Sequence, residues 1–286
     1  VSSGLAAKRS VAEALAVQRL DALERRLLLS RASGLSREDM ARRPELLLDE
    51  EVTTEFDRLI TEREAGQPIA YLLGEREFYG RSYKVDHRVL IPRPESELLV
   101  DIALQSIGRG PAKVLDIGTG SGCLAITLKL ERPDWEVGAL DISGDAINVA
   151  SGNAWSKGAE ISLCQADITI PDAPQSPLAR LSPGSLDLVV SNPPYVAEGD
   201  PHLAQGDLRF EPKQALTDGF NGLRVIDAVI TFSASRLKVG GQLLLEHGYD
   251  QAETVRQHLV AAGFGSVRSW PDLAGIERVS GGLATG

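Results

Sequence analysis

The stretch that most restricts how this chain can fold is Val114-Leu115-Asp116-Ile117-Gly118-Thr119-Gly120-Ser121-Gly122. A short apolar run ends at Ile117, alternate glycines follow, and a second apolar run with helical character begins near Ser121. Glycines there let the backbone turn sharply and approach a ligand with no Cβ in the way. The helix behind them presents unpaired N–H groups. A strand passing through such a loop into a helix opens a parallel α/β sheet. The pattern continues downstream, with strands expected at 113–117, 136–140, 161–164, 186–190 and 242–246. Helices are expected at 121–130, 144–157, 222–237 and 251–262. Two short strands near 266–270 and 277–279 have no helix between them, so one of them must run antiparallel. Helices then cover both faces of the sheet. Residues 171–185 form a loop rich in proline and serine, with no assigned chemistry.

Upstream the texture differs. Residues 5–65 carry helical signals and almost no β-branched runs. Residues 1–19 read as a mildly amphipathic helix, and Leu15, Leu20, Leu23, Leu27 and Leu28 recur at spacings that place them near one face. Ser36 precedes Arg37-Glu38-Asp39 as an N-cap with acids in the first turn, and a helix over 50–65 is stopped by Gly66 and Pro68. Four or five helices are expected here. Between Gly66 and Arg93, Phe78, Tyr79, Tyr83 and Val85 between glycines predict extended segments and a hairpin. Ile91-Pro92-Arg93-Pro94 is stiff, because each proline fixes its own φ and restrains its predecessor. The expected organisation is an all-α domain over 1–74, a β connector over 75–95 and a doubly wound sheet domain over 96–286.

The formal net charge of −10 argues against broad nucleic-acid binding, which depends on neutralising phosphates. The first 74 residues hold 11 Lys plus Arg against 13 Asp plus Glu, so that domain does not attract phosphate either. No apolar run approaches a membrane span, and the first residues lack the layout of a secretion signal, which makes a cytoplasmic protein the expectation. Cys123 and Cys164 lie in unrelated apolar contexts and read as small core residues. His87, His202, His247 and His258 show no pairing at metal-ligand spacing, so no metal is expected. His247, just after an expected strand, is the one histidine placed near the ligand end of the sheet.

The glycine pattern is GxGxG, without the shifted third glycine of dinucleotide enzymes, so a pyrophosphate is disfavoured. A nucleoside with a short amino-acid tail needs the close approach and carries no phosphate. S-adenosyl-L-methionine has that shape, which makes Gly118, Thr119, Gly120, Ser121 and Gly122 candidate cofactor contacts. Asp141, 19 residues beyond Gly122, ends the next strand, where an acid can accept from both ribose hydroxyls or cap the following helix. Asp116 either orients the loop or meets the ligand's ammonium through water. Asp167 and Ile168 follow the third strand, where they suit an adenine amino group and the ring face.

The fourth strand runs straight into Ser191-Asn192-Pro193-Pro194-Tyr195. A carboxamide nitrogen is a poor nucleophile because its lone pair is delocalised, so an enzyme must aim it. Asn192 offers a side-chain carbonyl, and the Pro193 carbonyl is an acceptor in a rigid frame. Two acceptors can hold both N–H groups of a flat NH2 and favour the charge that develops on it. Pro194 and Tyr195 complete the pocket, with Tyr195 expected to stack on the amide. Asn192, Pro193 and Tyr195 are the candidate catalytic residues. In-line methyl transfer needs neither a nucleophilic side chain nor a metal.

These motifs resemble the HemK/PrmC family, the glutamine-N5 methyltransferases that modify the Gly-Gly-Gln loop of peptide chain release factors. The resemblance covers nearly everything from Gln67 onward. It is carried by Gln67-Pro68-Ile69-Ala70-Tyr71, Arg76-Glu77-Phe78, Leu90-Ile91-Pro92-Arg93-Pro94-Glu95-Ser96-Glu97, the glycine loop and Asn192 to Tyr195. Asp200-Pro201-His202, Arg209-Phe210-Glu211-Pro212 and Leu243 to Gly248 extend it. It implies a Rossmann-like class I methyltransferase sheet with a small helical N-terminal domain that grips the protein substrate. It also implies cofactor contacts from Gly118 to Gly122, Asp141 and Asn192, with Asn192 to Tyr195 on the glutamine. Ile168 stands where some relatives place an aromatic residue over the adenine. Arg93 and Glu97 are expected either to help close the cofactor pocket or to form an ion pair at the domain junction. Alternatives sharing the tetrad are an adenine-N6 nucleic-acid methyltransferase and a ribosomal-protein glutamine methyltransferase. A nicotinamide oxidoreductase lacks its GxGxxG here, and a nonenzymatic adapter would have no need of the tetrad.

Overall fold

The computed structural model describes residues 8–17 and 19–286. The chain divides into two compact units, Val1–Glu75 and Arg76–Gly286. Residues 1–7 of the helix expected over 1–19 lie outside the described residues, and the described helix there covers only Val11–Leu15.

In the first unit, short polar residues start the helices α1 (Val11–Leu15), α2 (Ala22–Ser33), α3 (Arg37–Arg42), α4 (Glu50–Glu64) and α5 (Ile69–Leu73). Ser10 and Glu13 form a reciprocal capping box on α1. The Asp21 carboxylate accepts from the Leu23 and Glu24 amides, and the Ser36 hydroxyl from that of Asp39. Each such cap contributes about 1 kcal/mol. Val11, Leu28, Leu29, Phe56, Leu59 and Ile60 are buried in a common core. The expected leucine face is only partly realised, since Leu23 and Leu27 are 60% and 38% exposed. Helix α2 begins only at Ala22, so Leu15 and Leu20 precede it, and Leu28-Leu29 set which side turns inward. Helix α5 replaces part of the segment expected to be extended. Pro68 stands at its N-cap, where a missing N–H costs nothing, and Gly74 ends it in the left-handed conformation.

The following elements are β1 (Glu75–Phe78), β2 (Arg81–Lys84), α6 (Glu97–Ser106), β3 (Lys113–Ile117), α7 (Cys123–Glu131), β4 (Glu136–Asp141), α8 (Gly144–Lys157), β5 (Ser162–Gln165), β6 (Leu186–Ser191), α9 (Lys213–Leu216), α10 (Arg224–Arg236), β7 (Leu237–Glu246), α11 (Ala252–Ala261), β8 (Phe264–Pro271) and β9 (Glu277–Ala284). A seven-stranded sheet has the order β5-β4-β3-β6-β7-β9-β8. The first five are parallel, and β9 runs antiparallel to both β7 and β8. Central strands bury both faces, as helices on two sides require. Val114, Leu188, Val190 and Leu244 pack into one core, and Leu115, Ile117, Val189, Leu243 and Leu245 into the other.

The hairpin β1–β2, within the segment expected as a connector, is built into the first of these cores. Phe78 and Tyr83 are fully buried there, and the Tyr83 hydroxyl lies 2.7 Å from Thr127 Oγ1. The Asn153 side chain accepts from the Lys84 amide and donates to the carbonyls of Lys84 and Ser121. Helix α6 had no counterpart in the sequence reading, although Leu99, Val100, Ile102 and Ala103 give it a buried face. The 171–185 loop is pinned by a 3-10 turn, Pro177–Arg180, capped by Ser176, with Leu178 buried in the second core. Cys123 and Cys164 are unpaired and half-buried, one beside each core. Among the described residues no helix is long and apolar enough to cross a membrane.

Strand β9 runs well past the expected 277–279, through Gly281-Gly282. Glycines usually weaken a strand, but they also allow two backbones to approach closely. A Cβ on Gly281 would lie 2.3 Å from the Leu243 carbonyl oxygen, a backbone atom unable to yield. Gly281→Ala is therefore expected to disrupt the β7–β9 ladder and destabilise the protein by about 3 kcal/mol. Urea unfolding of that variant with a wild-type midpoint would remove this role.

Candidate active site

Parallel pairing delivers the ends of β3, β4 and β6 to one edge. Ile117 is in register with Leu140 on one side and Ser191 on the other, so the next residues out are Gly118, Asp141 and Asn192. The loop is tied down from both sides. The amides of Gly118 and Thr119 donate to the Leu140 carbonyl at 2.9 Å, and Ser191 Oγ donates to that of Ile117 at 2.6 Å. A Cβ on Gly118 would lie 3.8 Å from the Asn192 carbonyl oxygen, so the two motifs face each other directly.

A cavity of about 270 Å³ opens at this edge. Gly118, Gly120, Asp141, Ile168, Asn192, Pro193 and Pro194 line it, as does Asp167. Four other candidates stand behind the lining. Thr119 is buried and donates its hydroxyl to Asp116 Oδ2 at 2.7 Å. Ser121 is buried, and its carbonyl accepts from Asn153. Gly122 has φ 83°, and a Cβ there would come within 2.8 Å of Ile126 Cδ1 and 3.1 Å of Ala150 Cβ. The third glycine thus brings α7 against α8. The Tyr195 ring packs against the second core, and its hydroxyl donates to Glu246 Oε1 at 3.4 Å. The stacking surface expected of Tyr195 is therefore absent from the cavity wall.

Asp141 Oδ2 accepts from the Gly120 amide and Oδ1 from the Ser143 amide, both at 2.9 Å. The cap of α8 comes from Ser143, whose hydroxyl accepts from the Ala146 amide. A carboxylate has about four lone-pair sites, so Asp141 keeps acceptor capacity toward the cavity. Burial raises its pKa against these hydrogen bonds. Asp167 Oδ1 is held by the amide and hydroxyl of Thr169. Asp116 is fully buried, and burial pushes it up to about 7 despite bonds from Thr119 and Ala125.

The rest of the lining has no role in the sequence reading. It comes from Arg88 to Leu90 and from Pro212, Gln214, Thr217 and Arg224. These two segments are joined by Glu211, which is 6% exposed. Its Oε2 accepts from the Ile91 amide at 3.0 Å, and its Oε1 pairs with the Arg93 guanidinium. Arg93 and Glu97 accordingly do not pair with each other, and neither lines the cavity. Glu97 Oε1 accepts from the Tyr79 amide at 2.8 Å.

Two further residues stand inside motifs that carry the resemblance but have no role in the sequence reading. Asn192 Nδ2 donates to Ser96 Oγ at 3.0 Å, and Ser96 Oγ donates to Glu246 Oε2 at 2.5 Å. Burial pushes Glu246 up to about 7, and the bonds from Ser96 and Tyr195 pull it down. The available signal was an acid closing the apolar run Leu243 to Leu245. His247 lies outside the cavity lining. It is fully buried between the Gly248 carbonyl and Ser280 Oγ, and burial lowers its pKa, which keeps it neutral near pH 7.

The cavity suits an adenosyl group carrying an amino acid. Glycine backbone permits close approach, Asp141 offers lone pairs for hydroxyls, and Ile117, Leu140, Ala166 and Ile168 form an apolar bed.

Residues 94–219 match the methyltransferase small domain family, and residues 6–74 match the PrmC N-terminal domain family. The chain is 46% identical to the release factor glutamine methyltransferase of Burkholderia pseudomallei (strain K96243), covering 97% of each chain. It is 44% identical to that of Neisseria gonorrhoeae, covering 94% of this chain and 95% of the other. Among solved structures, a methyltransferase from Pyrococcus furiosus superposes with a TM-score of 0.53 at 17% identity, over 80% of this chain and 98% of that one. That likeness bears on the fold alone.

A carboxyl raised from 3.8 to about 7 in the folded state contributes stability fully present below pH 3.8 and lost as pH rises through 7. Asp116→Asn removes that dependence. Relative to wild type, the variant should therefore gain stability between about pH 5 and about pH 8. Urea unfolding at both values measures the gap, and a gap independent of pH would show that Asp116 titrates normally.

Proposed function

The chain belongs to the release factor glutamine methyltransferase family, and on that premise we propose how its cavity works and what it acts on. It transfers a methyl group from S-adenosyl-L-methionine to the side-chain N5 of the glutamine in the Gly-Gly-Gln motif of a peptide chain release factor. The bound cofactor's contribution is a methyl group on a positively charged sulfur, electrophilic enough for direct attack.

Everything else is positioning by the chain's own groups. Gly118 and Gly120 let backbone close on the cofactor side, Asp141 takes the ribose hydroxyls, and Ile168 covers the base. Thr119, Ser121 and Gly122 support this from behind by holding the loop in shape. Asn192 Oδ1 and the Pro193 carbonyl accept the two N–H groups of the glutamine amide. This fixes its plane and favours the positive charge that grows on nitrogen during attack. Pro193 and Pro194 keep the acceptors rigid, and Tyr195 anchors the turn through Glu246. No strong base is required, because the amide proton becomes acidic only after the methyl has arrived.

The observation that carries this reading is the shared edge. Gly118 and Asn192 follow residues paired across adjacent strands and line one cavity, which supports a methyl donor against the first and a flat NH2 against the second. The protein partner is the release factor, gripped by the helical domain over 1–74. Residues 75–95 lead from it into the sheet domain over 96–286. No direct nucleic-acid contact is needed for this reaction, in keeping with the net charge of −10. The working compartment is the cytoplasm, where release factors act.

Incubation with labelled S-adenosyl-L-methionine and a release factor, followed by mass spectrometry, should place one methyl on the Gly-Gly-Gln glutamine. Label in adenine of added nucleic acid instead would favour the adenine-N6 alternative. Asn192→Ala should lower kcat roughly a hundredfold or more with the fold intact. Wild-type turnover would exclude Asn192 from the chemistry. Asp141→Ala should weaken cofactor binding about tenfold or more, since ribose contacts exist before the transition state. Calorimetry showing an unchanged Kd would rule out the ribose contact.

A further inference from the structure

We propose that Ser96 and Glu246 are positioning residues that decide which end of the Asn192 carboxamide faces the cavity. This rests on reading Asn192 as an acceptor for the substrate amide.

The two ends of a carboxamide have nearly the same size, so packing alone cannot tell them apart. Hydrogen-bond polarity can. A serine hydroxyl has a single proton, and Ser96 commits it to Glu246 Oε2 at 2.5 Å. Toward Asn192, Ser96 Oγ is then able only to accept. Nδ2 is drawn to it at 3.0 Å, which turns Oδ1 away from Ser96. Oε2 serves as the acceptor whether Glu246 is ionised or carries its proton on Oε1, the oxygen facing the Tyr195 hydroxyl. Ser96 and Glu246 are each 2% exposed and neither lines the cavity, so they act through Asn192 rather than on a ligand. The relay is anchored at both ends. Ser96 belongs to the 3-10 turn Pro94–Ser96, which follows the segment pinned by Glu211, and Glu246 ends the core strand β7.

If the acceptor at 246 is lost, the Ser96 proton becomes available to Asn192 Oδ1. The carboxamide then inverts and presents its NH2 to the substrate NH2, donor against donor. This gives an unusual expectation for paired substitutions. Glu246→Leu, similar in volume and free of a buried carboxyl, favours the inversion, because the Asn192 carboxamide is then the remaining side-chain partner for the Ser96 proton. Ser96→Ala merely leaves Asn192 unguided. Adding Ser96→Ala to Glu246→Leu should therefore recover activity.

Steady-state methylation of a release factor by the full chain is the test, with cofactor Kd and thermal unfolding measured on each variant. Ser96→Ala should lower kcat about twofold or more, the loss expected when the two carboxamide orientations are equally populated, and Glu246→Leu roughly a hundredfold, with cofactor Kd nearly unchanged. The double variant should return to the Ser96→Ala level. A purely structural role predicts instead that the two losses multiply, and that result would overturn the proposal. Should Glu246→Leu not fold, Ser96→Ala alone decides, because wild-type kcat there refutes the relay. Asn192→Ala separates the two ideas. If it is inactive while Ser96→Ala is normal, only the relay fails; if it is fully active, the acceptor reading fails first.

Discussion

The pairing of β3 with β6 is the constraint on which the site depends. These strands are neighbours in the sheet but 74 residues apart in the chain, with β4 and β5 laid out on the other side of β3. Where successive strands depart in opposite directions, their outgoing loops cannot cover one another, and a crevice is left. Register then does the fine placement. A slip of one residue between Ile117 and Ser191 would exchange the two faces of one strand, taking Leu188 and Val190 out of one packed core and Val189 out of the other. Burial of β6 on both faces resists such a slip, because Leu188, Val189 and Val190 all have apolar neighbours. The hydrophobic effect thus specifies the position of polar groups that gain nothing from it.

Behind the cavity, the chain accepts unfavourable burial in exchange for orientation. Asp116, Glu211 and Glu246 are all removed from water, and each uses its oxygens to hold another segment in place. Isolated buried carboxylates would be costly. Here every one receives hydrogen bonds from a loop or turn that shapes the cavity. The glycine loop, the proline-rich segment before α6 and the Asn-Pro-Pro-Tyr turn are therefore stiffened from beneath, which leaves their outward faces to a ligand.

The sheet and its helices were largely legible because period and punctuation are local. The strand over 113–117 and the helix over 144–157 coincide with β3 and α8, and other boundaries moved by a few residues. Helix α6 lies between the stiff prolines and the first expected strand, a stretch to which the sequence reading assigns no element. The leucine face of α2 was misplaced because apolar spacing was counted across a helix boundary. At the site, Gly118, Asp141 and Asn192 were legible because each directly follows a recognisable strand or ends one. Ser96, Glu211 and Glu246 stand in motifs that carry the resemblance, but their roles were not legible. Their roles depend on partners 96 to 150 positions away, and no local spacing encodes a hydrogen bond of that span. Tyr195 shows the converse. Its residue type suggests a stacking platform, whereas its side chain is half-buried against the second core and outside the cavity lining.

Those spans have a temporal side. Ile91 and Glu211 are 120 positions apart, and Ser96 and Glu246 are 150 apart. Contacts of such high order close large loops, and their entropy is charged before any reward arrives. During vectorial synthesis the glycine loop and β3 emerge long before the strand that carries Glu246. A nascent chain can therefore collapse around the early strands while its acceptor amide still lacks a handed environment. On the proposed relay, the acceptor that sets the amide's polarity is therefore among the last parts of the site to arrive.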